Sequence, residues 1–204
     1  MIYPVSTLAT QREGEIIYRA SGVVLRVDSG AAHLVAPGAR SRAGGYHYPS
    51  GRGGGVFGGP VLALAKVIGG VMSPAAGAEL GALCLDSQEA VALRDCLGAM
   101  GYPQPPTPLG AGNSTASGTT TNTMEQRRPK AMGMRFCWVR DRVDQGQSRV
   151  CWELGKTNYG DFCTKHHPAT PHKQVRPTHM FVGGLPPANL QGCVRVMTGI
   201  QVVW

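Results

Sequence analysis

Three groups of residues along the chain have types and spacings that could do chemistry. Gly53-x-Gly55-x-x-Gly58 has the spacing of a dinucleotide-binding turn. Such a turn needs a strand before it and a helix after it, so that backbone N–H groups and the helix N-terminus meet the pyrophosphate. Here a strand-like run, Pro60 to Ala65, follows the glycines, and no Lys-Ser/Thr pair completes a phosphate loop. The segment reads as a hairpin loop, and no cofactor-binding residue is assigned. Cys163-x-x-His166-His167 offers zinc ligands, but a closed site needs four, usually as two spaced pairs. Only His172 and His179 follow nearby, so these read as ordinary surface groups. The third group is cationic: Arg127, Arg128, Lys130, Arg135, Arg140 and Arg142. Cations on one helical face contact phosphates without reading sequence. Arg127, Arg128, Lys130 and Arg135 are the candidate nucleic-acid contacts; the alternative is a solvated face packed by Met132, Phe136 and Val139. The overall balance of 20 Lys and Arg against 12 Asp and Glu, a formal +8, also favours an anionic partner.

The elements that must position these residues follow from periodicity. Val23 to Val27 is a short β-branched run and reads as a buried strand. Residues 36–45 read as turn-rich and basic, Tyr46-His47-Tyr48 as a second strand, and Pro60 to Ala65 as a third. Leu80, Leu83, Ala90, Leu93 and Leu97 recur at helical spacing and predict a helix from Ala75 to Met100. Pro74 suits its first turn, and Gly101 with Pro103 ends it. Thr107-Pro108-Leu109 reads as a fourth strand, and residues 125–144 as a second helix buried through Met132, Phe136, Val139 and Val143. Arg149 to Glu153 alternates as a fifth strand, and Tyr159 to His166 as a short helix. Hairpin-joined strands followed by helical crossovers predict an α/β fold with a five-stranded mixed sheet flanked by helices.

The chain of 204 residues is long enough for one domain with tails. Residues 1–14 read as an irregular N-terminal segment, 15–167 as the domain, and 168–204 as an irregular or disordered tail rich in Pro, Gly and cations. No apolar stretch approaches the roughly 20 residues that span a bilayer, and no secretory signal is visible. Six cysteines with no C-x-x-C pair fit a reducing, intracellular setting, cytoplasmic or nuclear.

An ordered series of segments carries a resemblance. Arg40-Ser41-Arg42-Ala43-Gly44-Gly45-Tyr46-His47-Tyr48 resembles the stretch after the first catalytic strand in ribonuclease H domains of Ty1/copia-type retrotransposon polyproteins. The same holds for Ala78 to Leu83, Asn113 to Ala116, Gln126 to Arg128, Met134 to Val143 and Asp161 to His167. Pro4 to Ala9 is similar to the stretch just upstream of that domain. The resemblance runs in order over roughly residues 15–180. It implies a ribonuclease H-like five-stranded mixed sheet and an activity that cuts RNA in RNA–DNA hybrids.

That activity uses two Mg2+ or Mn2+ ions about 4 Å apart, which activate a water and stabilise the leaving oxygen. Hard cations want anionic oxygens, so four carboxylates converge in the family. By resemblance Glu79 matches the carboxylate of the first helix, and Asp161 that of the last. The first-strand acid falls at position 30, which is Gly30. The acid before Asn113 falls at 112, which is Gly112. Gly77 and Gly133 also stand where acids are expected. Asp28 lies two residues before Gly30 and faces the same way on a strand, but is displaced by about 6.6 Å. It is a weak third candidate for the metal. The resemblance thus implies a degenerate active site, with Mg2+ or Mn2+ binding weakened or lost. RNA–DNA hybrid or other nucleic acid is the expected partner, and no membrane is.

Overall fold

The computed structural model describes residues 15–18, 21–51, 59–72, 75–114, 118, 133–165, 170, 180–181 and 194–197. The centre is a five-stranded sheet. Its strands are β2 (Val24–Ala36), β3 (Arg40–Ser50), β4 (Leu62–Val67), β5 (Thr107–Ala111) and β6 (Ser148–Trp152), in the order β4-β3-β2-β5-β6. The strand preceding them, β1, is Glu15–Tyr18. The β2–β3 and β3–β4 pairs are antiparallel; β2–β5 and β5–β6 are parallel. Parallel neighbours need crossovers, supplied by α1 (Ala75–Ala99) between β4 and β5 and α2 (Gly133–Asp144) between β5 and β6. A five-residue helix, α3 (Tyr159–Cys163), follows β6. This is the expected five-stranded mixed sheet flanked by helices.

One face of the sheet carries the main core. Leu25, Val27, Leu109 and Val150 pack with Leu83, Cys84 and Ala90 of α1 and Val139 of α2, and Leu93, Leu97, Trp138 and Val143 close its edge. The helical stripe expected from spacing is the face that is buried. Both long helices end alike. Tyr102 N bonds Leu97 O and Gly101 N bonds Gly98 O; Gln147 N bonds Arg142 O and Gly146 N bonds Val143 O. This pairing satisfies the last carbonyls and needs a left-handed residue, which Gly101 (φ +88°) and Gly146 (φ +68°) provide.

Two expectations are corrected. Residues 36–45 are not a turn region: the turn is confined to 37–39, and β3 starts at Arg40. Gly44 and Gly45, turn residues by local pattern, are strand interior. A β-carbon at Gly45 would lie 2.6 Å from Asp86 Cγ, and one at Gly44 would lie 2.9 Å from Thr164 N. Glycine marks close approach from both faces here, not a bend. The second correction concerns the tail. β7 (Met180–Phe181) and β8 (Val194–Met197) lie inside the segment expected to be irregular, and pair on either side of β1. Residues 125–132 of the expected second helix, and the glycine loop over 52–58, lie outside the described residues.

Candidate acid-pair site

The site is built where β5 ends beside the middle of β2. Ser29 on β2 registers with Ala111, the last residue of β5, so Gly30 and Gly112 stand together. α3 lies across this point and is held down at its N-terminus. Asn158 Oδ1 caps the helix by accepting from Gly160 N (2.8 Å) and Asp161 N (3.4 Å), while its Nδ2 donates to Ser29 O (2.8 Å). Asp28 Oδ2 accepts from Tyr159 N at 3.3 Å. Two side chains thus fix the exposed N–H groups of the helix to the strand beneath it.

At Gly30 and Gly160 the backbones of α3 and the sheet approach closely. A β-carbon at Gly160 would lie 2.7 Å from Asp28 C, and one at Gly30 would lie 2.8 Å from Asp161 N and 3.0 Å from its Cα. Gly30, Gly44 and Gly160 together form a saddle of bare backbone.

The four positions singled out by the resemblance converge. The Asp161 carboxylate faces Gly30, and its Oδ2 lies 3.7 Å from where a β-carbon of Gly112 would stand. Glu79, in the second turn of α1, accepts a hydrogen bond from the Ala31 backbone. Burial, and next the neighbouring Asp161 charge, push its carboxyl up to about 7. A carboxylate beside a carboxylate in a half-dry setting resists ionisation, which is how paired acids behave.

Asp28 goes elsewhere. It lies on the same face as Gly30, but faces the start of α3. Tyr48 OH donates to its Oδ1 at 3.4 Å, and Arg26 Nε stands 3.8 Å away. Burial pushes it up to about 6, against the lowering pull of the Tyr159 N–H and Arg26. Tyr46 and Tyr159 pack around it, with ring centroids 5.2 Å apart. Arg26 also pairs with Glu153, whose carboxyl covers Gly110.

Sequence reasoning missed a second polar group, buried on the opposite face. Asp86 and Ser87 of α1, His47 of β3 and Ser29 of β2 are all enclosed. His47 Nε2 lies 3.1 Å from the Asp86 backbone oxygen and 3.9 Å from its Oδ1. Enclosure pushes the Asp86 carboxyl well up and His47 down. A signal existed: Asp86 is three residues after Leu83 and Ser87 four after it, so both fall on the apolar stripe.

The cationic helix is only partly in view. Arg127, Arg128 and Lys130 lie outside the described residues. Arg135 turns inward, its Nη1 3.5 Å from Met72 Sδ. Arg140 reaches Asp144 (4.0 Å) and lies over the Phe136 ring; Arg142 pairs with Asp141 and lies over Trp138. Much of the described helix's charge is matched within the helix.

Two converging carboxylates do not make a two-ion centre. Among the described residues no group of three or more His, Cys, Asp or Glu is placed to hold a metal. A donor set of two carboxylates does not fit the two-ion Mg2+ chemistry the resemblance implies.

Strand order and crossovers define a ribonuclease H-like fold. Solved structures agree. The N-terminal ribonuclease H domain of Rv2228c from Mycobacterium tuberculosis, solved as a maltose-binding protein fusion, superposes with a TM-score of 0.52 at 13% identity, over 70% of this chain and 91% of that one. LC11-RNase H1, isolated from compost by a metagenomic approach, gives 0.50 at 12% identity, over 69% and 92%. At such identities the likeness is one of fold. No protein-family model matches the chain, and no curated protein does. Among the described residues no helix is long and apolar enough to cross a membrane.

Proposed function

We propose that this chain is a ribonuclease H-like domain descended from a Ty1/copia-type retrotransposon polyprotein, which binds nucleic acid but is impaired in cutting RNA–DNA hybrids. The observation that carries the reading is the surround of Asp161. Gly30 and Gly112 stand against its carboxylate at the two positions where the family has acids, leaving Glu79 as its partner. Removing two anions from a site for divalent cations weakens every ion it held. The excess of 20 basic over 12 acidic residues supports retained attraction to a polyanion. The described cysteines are unpaired thiols, which goes with an intracellular setting.

The test uses the whole chain and a labelled RNA–DNA hybrid. Anisotropy is expected to show binding that weakens linearly in log salt, by about 0.9 in slope for each phosphate neutralised. With Mg2+ or Mn2+ the RNA strand should stay intact. Cleavage that disappears in Glu79→Gln would overturn the impaired reading, and absence of any binding would overturn the nucleic-acid reading.

A further inference from the structure

The β2–β3 hairpin and the strand after it carry charge of one sign. From Ser29 to Ala78 the chain has no Asp or Glu, and its Lys and Arg residues are Arg40, Arg42, Arg52 and Lys66. Cations with no counter-charge in their own stretch attract an anion from outside.

Two of these cations share a face with the acid pair. A β-carbon at Gly44 would meet α3, 2.9 Å from Thr164 N, whereas one at Gly45 would meet Asp86 of α1. Side chains alternate along a strand, so Arg42 and Arg40 project to the side on which α3 lies. The register then places them relative to the site. Gly30, which faces Asp161, pairs with Gly44, and Ala32, two residues on, pairs with Arg42. Arg42 thus stands about 6.6 Å along the strand from Gly44, and Arg40 as far again beyond it. Arg40 is exposed and Arg42 half-buried, and neither is ion-paired among the described residues.

The hairpin backbone is bent at this point. Between the Ala32–Arg42 and Ala36–Arg40 pairs, three residues of β2 stand against Ser41 alone. Leu34 N donates to Ser41 Oγ (3.2 Å) across the bulge. Leu34 (φ +57°) and Ala39 (φ +53°) take a left-handed backbone that a β-carbon disfavours. Bulges re-aim side chains, and strained backbone gathers at working sites.

Two guanidinium groups one strand repeat apart fit a ligand that repeats its negative charge. A small anion would meet one of them; a phosphodiester backbone meets both and continues toward the saddle. We propose that Arg40 and Arg42 are phosphate contacts for a nucleic-acid strand that runs along the hairpin toward the Glu79–Asp161 pair. This rests on the nucleic-acid reading above and adds its contact surface on β3, since Arg140 and Arg142 of α2 are matched within their own helix.

The probe is the fluorescein-labelled RNA–DNA hybrid, followed by anisotropy over a range of salt. Arg40→Gln combined with Arg42→Gln should make the log–log salt slope shallower by about 1.8, two contacts at about 0.9 each. From a common affinity at about 1 M salt, that is roughly 60-fold weaker binding at about 0.1 M. Arg149→Gln combined with Lys156→Gln removes the same charge from exposed positions in and after β6, the opposite edge strand, and should leave the slope near the wild type. Arg40→Lys combined with Arg42→Lys keeps both charges and should keep the slope. Circular dichroism matching the wild type checks that each variant is folded. A wild-type slope in the β3 glutamine pair, or an equal loss in the β6 pair, overturns the contact surface and leaves the nucleic-acid reading standing. A wild-type chain that does not bind the hybrid overturns both.

Discussion

Adding one carbon at Gly30 tests the geometry of the site most directly. In Gly30→Ala the new methyl would stand 2.8 Å from Asp161 N and 3.0 Å from its Cα, closer than ordinary van der Waals contact. The Asp161 carboxylate can rotate away, but those two atoms are backbone, and α3 is tied down by Asn158 and Asp28. Forcing a methylene into a filled site costs about 1–3 kcal/mol. Replacing glycine by alanine within a strand returns about 0.5–1 kcal/mol. The balance is a loss of roughly 0–2.5 kcal/mol, centred at about 1.25. At about 2–4 °C per kcal/mol for a domain of this size, the midpoint should fall by about 2.5–5 °C. Gly30→Asp should fall further at neutral pH, because a third carboxylate joins Glu79 and Asp161. Two charges 4 Å apart repel by about 4 kcal/mol at an effective dielectric of 20. Part of that loss should return with millimolar Mg2+, which binds only the native cluster. Thermal unfolding of the three proteins, with and without Mg2+, is the assay. An alanine variant more stable than the wild type would refute the close-approach argument, and a Gly30→Asp midpoint indifferent to Mg2+ would refute the convergence.

Further outcomes are expected elsewhere. Asp86 has its carboxyl raised by burial, so its contribution to stability is full below the unfolded value near 4 and is lost as pH rises through the folded value. Asp86→Asn should therefore gain on the wild type steadily from pH 4 to pH 8 in urea unfolding; a constant difference would refute the assignment. Glu79→Gln should show the same sign, with the gain complete by about pH 8 since the folded value is about 7. Asn158→Ala removes a helix cap and the bond to Ser29 O, and should cost about 1–3 kcal/mol in the same assay. Asn158→Asp should recover part of this by keeping the cap.

Much of the sheet was legible in local pattern. Leu25 and Val27 alternate with Arg26 and Asp28, and the leucines of α1 recur at helical spacing, because one face of each element meets the core. What local pattern could not show is contact across the chain. Gly44 and Gly45 look like a turn until Asp86 and α3 are seen pressing on them from opposite sides. β1 pairs with strands near the other end of the sequence, and no periodicity in four residues announces that. The acid pair was found by resemblance, since Glu79 and Asp161 are 82 positions apart and neither spacing nor composition links them. The capping role of Asp28 was hidden because an aspartate on a strand carries no mark of the helix it will hold.

The glycine saddle also bears on how this site can move. A contact made through side chains has slack, because a χ angle can turn and take up a few tenths of an ångström. At Gly160 and Gly30 main chain of α3 and β2 rests on main chain, and the Asn158 and Asp28 side chains tie the two together besides. Any change in the twist of β2 must then carry the Asp161 backbone with it. Glu79 sits on α1, on the other side of the sheet, and meets the strand only through its own side chain. The two carboxylates are thus coupled unequally to the strand between them, one rigidly and one through a flexible arm.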